Sequence, residues 1–186
     1  VPLPTCWHLY LEADTHITCL RSLLPSCVTS CPRHFNVWTM NGFDQAGNGS
    51  TMGFSDEDDL RLFGSLGPHV AVNILRLKRD DPKVTQFHLD NADLNEVASK
   101  RLGCILGQNT HLKKLLIWFS NLNMAGICAG LESNRCIQVL RFNGTTISDA
   151  DGMSSLAPFL TNNPSLRDIG LVGCSIGPTG INILSN

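Results

Sequence analysis

Four stretches of the chain share one apolar frame, and that repetition constrains the fold more than any single motif does. VTQFHLDNADL begins at Val84, LKKLLIWFSNL at Leu112, IQVLRFNGTTI at Ile137 and LRDIGLVGCSI at Leu166. In each, the first, fourth, sixth and eleventh positions are apolar: Val84, Phe87, Leu89 and Leu94; Leu112, Leu115, Ile117 and Leu122; Ile137, Leu140, Phe142 and Ile147; Leu166, Ile169, Leu171 and Ile176. The starts are 28, 25 and 29 residues apart. Side chains alternate faces along a strand, so the fourth and sixth positions share one face of a short strand. One strand cannot bury that pair alone. Stacked as a parallel sheet and joined by right-handed crossovers, the copies close a continuous apolar column.

The intervening segments read as helices. After the first copy, Val97, Leu102, Ile105 and Leu106 mark one face of a helix from about Asn95 to Gly107. After the third, Ser148 is positioned to cap a helix with the stripe Met153, Leu156, Ala157 and Leu160, ending before Asn162, Asn163 and Pro164. A further helix spans Gly180 to Leu184, while Gly126 and Gly130 weaken the one after the second copy.

This pattern resembles the leucine-rich repeats, and the long helical returns resemble the ribonuclease-inhibitor type, found mostly in intracellular proteins. The resemblance covers about Ser55 to Asn186. It implies an α/β fold, a right-handed solenoid with a parallel sheet on the concave face and helices on the convex face. The family's ninth position usually carries Asn or Cys, whose side chain bonds the backbone where strand turns to loop. Here the position holds Ala92, Ser120, Thr145 and Cys174. Ala92 departs from that pattern because it has no polar side chain, and it leaves Asn91 or Asp93 as substitutes with a shifted turn.

The solenoid is expected over residues 54–186, with opening helices over 54–83 and repeats from 84, 112, 137 and 166. Ser55 with Asp58 forms a capping-box pattern, and the acidic run Asp56 to Asp59 reads as a solvated helix start. Gly64 to Gly67 break that helix from a second one opened by Pro68, along which Val72, Leu75 and Arg76 follow. Residues 1–53 show no repeat. Leu9 to Leu24 suit one amphipathic helix, and Gly42 to Gly53 a linker. The chain stops inside a helix with no polar cap for its apolar column, so the natural protein is expected to continue with further repeats.

Cys6, His8, His16, Cys19, Cys27, Cys31 and His34 form the one metal-like constellation, but only Cys27 and Cys31 have a workable pair spacing, so no metal is expected. Cys104, Cys128, Cys136 and Cys174 are scattered, as reduced thiols are. No catalytic signature is complete. Gly49-Ser50-Thr51-Met52-Gly53 resembles a nucleophile elbow without a preceding strand, and no P-loop or HExxH motif occurs. No cofactor is expected, and the chain is read as a non-enzyme. The alternative is an enzyme or metal-dependent regulator with its active part in residues 1–53 or in missing sequence.

A net charge of -2 gives no basic field for nucleic acid and no polybasic membrane anchor. No apolar run reaches a membrane span, no signal segment opens the chain, and a cytoplasmic location is expected. The sequons Asn48-Gly49-Ser50 and Asn143-Gly144-Thr145 read as chance patterns. Residues between the buried strand pairs face the concave side in three rows: Gln86, Lys114, Val139, Asp168; His88, Leu116, Arg141, Gly170; Asp90, Trp118, Asn143, Val172. Large apolar groups on an open face mark an interaction site, and mixed charge favours a protein partner over a phosphate backbone. The expected binding residues are therefore Trp118, Leu116, Arg141, His88, Lys114, Asp90, Asp168 and Val172. His88 points away from the buried pair and reads as an interface group rather than a catalytic base.

Overall fold

The computed structural model describes residues 8–10, 16–17, 54–147 and 150–185. Helices α1 (Asp56–Phe63) and α2 (Pro68–Lys78) precede β3 (Gln86–Asp90), α3 (Glu96–Gln108), β4 (Lys114–Trp118), α4 (Met124–Leu131), β5 (Val139–Asn143), α5 (Asp151–Asn162), β6 (Asp168–Gly170) and α6 (Pro178–Ser185). Strands β1 (His8–Tyr10) and β2 (His16–Ile17) lie beyond β6, giving the order β2-β1-β6-β5-β4-β3. The chain is thus a mixed α/β fold in which β3 to β6 pair in sequence order, all parallel, with one helix between each pair. Ser120, one copy later, accepts the Ala92 N–H at 3.1 Å and donates to Trp118 O at 2.8 Å.

Phe87, Leu115, Leu140 and Ile169 stand in one cross-strand row, and Leu89, Ile117 and Phe142 in the next. These residues are buried together with the first-position Val84, Leu112, Ile137 and Leu166. Ile176, the last eleventh-position residue, packs half-buried against the same core. The helices close the column with Leu102, Ile105 and Leu106 from α3, Ile127 and Leu131 from α4, and Leu156 and Phe159 from α5. Val97 does not join them: it is 56% exposed, because the cap at Asn95 turns the second helical residue to solvent. Val72 is likewise exposed on α2.

The helix expected over Leu9 to Leu24 is replaced at two places by strand. β1 runs parallel to β6 with Leu9 opposite Ile169, and antiparallel to β2 with Tyr10 opposite His16. Pairing with the free edge of β6 satisfies backbone groups that the helical spacing alone did not take into account. Ser148 and the Gly42 to Gly53 linker lie outside the described residues; α5 starts at Asp151 with Ala150 at its cap.

The acidic first turn of α1 is only partly a solvated helix start. Ser55 and Asp58 make the capping box, but Asp59 is buried. Arg101 of α3 grips both oxygens of Asp59 at 2.7 and 2.8 Å, and Lys78 of α2 reaches the same carboxylate at 2.8 Å. Burial pushes the Asp59 carboxyl up; the bonds and charges of Arg101 and Lys78 outweigh it and hold the group below the ordinary aspartate value. One carboxylate therefore pins α1 to both following helices.

The glycines of α4 do not prevent its helix. They sit where α4 meets Gly103 and Gly107 of α3: a Cβ on Gly107 would lie 2.5 Å from the Gly130 carbonyl oxygen, one on Gly126 would lie 2.9 Å from the Lys100 nitrogen, and one on Gly130 would overlap the Gly103 carbonyl. The shortest repeat thus has an eight-residue helix whose backbone packs directly on that of α3.

A column of asparagines three residues before the strand frames holds successive copies together. Asn109, Asn134 and Asn163 are all buried. Each accepts from two backbone N–H groups of its own loop: His111 and Leu112 (3.1 and 2.7 Å), Cys136 and Ile137 (2.8 and 2.9 Å), Ser165 and Leu166 (2.9 and 3.1 Å). Each donates back to the copy before, Asn109 to Leu77 O, Asn134 to Leu106 O and Asn109 O, and Asn163 to Asn134 O.

Candidate functional site

The sheet face turned away from the helices is set by alternation: if Phe87 and Leu89 face the core, Gln86, His88 and Asp90 face outward. The register aligns Gln86, Lys114, Val139 and Asp168 in one row and His88, Leu116, Arg141 and Gly170 in the next. Asp90, Trp118 and Asn143 form the third row. Val172 falls past the end of β6 and so has no strand partner, though its carbonyl accepts from Gly144 N–H at 2.7 Å and its side chain is exposed.

Trp118 is half-buried, and its ring meets that of His88 edge-on, with centroids 4.4 Å apart. Arg141 donates to Asp168 at 2.7 Å across the strands. The Arg141 side chain lies close over Gly170: a Cβ there would be 3.1 Å from Arg141 Cγ, tight enough that the arginine must shift slightly. Leu116 and Val139 are half-buried between these polar groups, while His88, Lys114 and Asp90 are exposed. The residues singled out from the sequence therefore do lie together on one face, with Val172 at its border.

Three polar atoms on this face are buried and make no hydrogen bond among the described residues: Trp118 Nε1, Asn143 Oδ1 and Asp168 Oδ1. A buried unsatisfied group costs about 1–3 kcal/mol, so such atoms are rare in native structures. The trio offers one donor and two acceptors.

Where the strands end, the eighth position of every copy is left-handed: Asn91, Phe119, Gly144 and Gly173 have φ of 50°, 49°, 62° and 72°. Glycine adopts this region freely, whereas Phe119 adopts it at a steric cost from its Cβ. Its 65% exposed ring covers Gly144, where a Cβ would lie 2.5 Å from Phe119 Cδ1. Sequence reasoning overlooked Phe119; the signal was Gly at the same position in the next two copies.

The ninth position that follows ties the copies at this edge. Thr145 donates to Ile117 O at 3.0 Å, and the Cys174 thiol to Phe142 O. The Asn143 sequon thus ends in a threonine whose hydroxyl is buried and already bonded. Cys104, Cys128 and Cys136 are free thiols, and burial pushes the Cys128 thiol up to about 12.

No group of His, Cys, Asp and Glu among the described residues is arranged to hold a metal ion, and no helix there is long and apolar enough to cross a membrane. The metal-like constellation of residues 6 to 34 and the Gly49 to Gly53 motif lie outside the side chains described. No protein-family model matches the chain, and no curated protein matches it. A solved structure, Leiomodin-1 Actin-Binding Site 2 (ABS2), is similar in fold, with a TM-score of 0.53 and 21% identity over 62% of this chain and 70% of that one.

Proposed function

We propose that this chain is a leucine-rich-repeat solenoid of the ribonuclease-inhibitor-like type and a non-catalytic module that binds a protein partner on its concave sheet face. The observation that carries this reading is the pair of unsatisfied atoms on neighbouring Trp118 and Asn143, with a third on Asp168 at the other end of the face and half-buried Leu116 and Val139 between. A peptide group accepts through its carbonyl and donates through its N–H, so an extended segment of a partner satisfies both kinds of atom at once. Trp118 supplies the broad apolar surface that dominates protein interfaces. The fold neighbour is itself named for binding a protein, actin, which agrees with a protein partner without naming this one.

A photo-crosslinking residue in place of Leu116 tests the reading against the same residue in place of Val97, exposed on α3. In extract from the native cells, the first position is expected to give a discrete protein adduct and the second none. Equal labelling from both positions, or none from Leu116, refutes the concave face as a binding surface.

A further inference from the structure

Lys83, Lys113, Lys114, Arg135 and Arg167 form no ion pair among the described residues, and all of them lie at the edge of the sheet where its parallel strands begin. The acids of the same edge are mostly engaged: Asp80 by Thr110 and His111, Asp81 by Arg76 and the Lys83 N–H, and Asp168, through one of its two oxygens, by Arg141. Glu132, exposed at the end of α4, is the exception. Bonds between successive copies fix Thr85, Lys113, Gln138 and Arg167 in a line: Lys113 N–H to Thr85 O, Gln138 N–H to Lys113 O and Arg167 N–H to Gln138 O, each 2.8 Å. Lys113 and Arg167 are two strands apart, which is about 10 Å at the usual strand spacing.

We infer that this edge docks an acidic segment of the partner protein, running as a polyproline II helix across the strand ends with a carboxylate at about every third residue. The inference rests on reading the chain as a protein-binding module. In a polyproline II helix a carboxylate at every third residue stays on one face and recurs at about 9 Å, close to the separation of Lys113 from Arg167. A nucleic-acid backbone fits less well, because its unbroken charge meets the exposed Glu132 within this edge, whereas a peptide charged at every third residue can pass it with an uncharged one.

The test is an amide NMR titration of the full chain with an acetylated Glu-Gly-Ser repeat peptide, its Gln-Gly-Ser counterpart, and a thymidine oligonucleotide of equal charge. Saturable shifts centred on Lys113, Gln138 and Arg167 are expected with the glutamate peptide alone, and added salt should weaken them. Reversal of Lys113 and Arg167 to Glu should weaken binding roughly tenfold or more, and Lys83→Glu with Arg167→Glu serves if the first pair fails to fold. Absence of saturable shifts at this edge overturns the inference, and so does tighter binding of the oligonucleotide there. Adducts from position 116 together with a silent titration sink this inference alone; a positive titration without such adducts sinks only the concave face.

Discussion

Replacing Asn134 by Ala removes the most heavily bonded member of the asparagine column. Its Oδ1 accepts from the N–H groups of Cys136 and Ile137, and its Nδ2 donates to the carbonyls of Leu106 and Asn109, at 2.8 to 3.0 Å. The residue is 1% exposed, so water does not reach the orphaned groups without local opening. At a net value of about 1 kcal/mol per bond, the loss is about 4 kcal/mol. That is a large share of the 5–15 kcal/mol that holds an ordinary domain, and urea denaturation should show a clearly lowered midpoint. Asn134→Asp sharpens the test. The carboxylate keeps both acceptor bonds but sets a charge against the Leu106 and Asn109 carbonyls, which raises its folded pKa above the unfolded value of about 3.9. A raised folded pKa gives stability that is fully present below about pH 4 and is lost as pH rises through the folded value. The deficit of Asn134→Asp against the wild type should therefore shrink on acidification, while that of Asn134→Ala should not. A loss below about 1 kcal/mol for Asn134→Ala would refute the column as a structural tie.

Asp59→Ala leaves Arg101 without its carboxylate, while Lys78 keeps Asp56 at 2.9 Å, and breaking the buried pair with Arg101 should cost about 3 kcal/mol in thermal or urea unfolding. Because its bonds depress the Asp59 pKa, the wild type should lose this contribution as pH falls below about 4, a loss absent from the variant. Gly130→Ala improves intrinsic helix propensity by about 1 kcal/mol, yet its Cβ overlaps the Gly103 carbonyl, so the net effect on the melting temperature should be a decrease. A rise would show that α3 and α4 are free to separate.

The repeat frame was legible because four copies of one apolar pattern reinforce each other, and the outward rows followed from strand alternation without further information. The asparagine column was present in the same sequence, at Asn109, Asn134 and Asn163, but polar residues before a strand read as ordinary loop until their shared offset is noticed. Asp59 was hidden for another reason. Its acidic neighbours fit a helix start, and its partner Arg101 is 42 residues away, a pairing that only the packing of α1 on α3 creates. Gly126 and Gly130 read as helix weakeners because propensity is a local property, whereas their use is in the contact with α3. The short strands at His8 and His16 depend on the edge of β6, which no local pattern announces. Of the site, the sequence placed the face; the unsatisfied atoms and the left-handed Phe119 required coordinates.

The central claim is that Trp118 serves recognition rather than folding, and it is tested most directly by the affinity of Trp118→Ala for the protein captured from position 116. Leu115→Ala, on the buried side of the same strand, provides the comparison and should lose about 2–5 kcal/mol of stability. Trp118→Ala should remain folded, with a smaller stability change than Leu115→Ala, and should lose about 2 kcal/mol of binding, roughly thirtyfold in Kd. Unchanged affinity, or a stability loss as large as that of Leu115→Ala, would contradict the account.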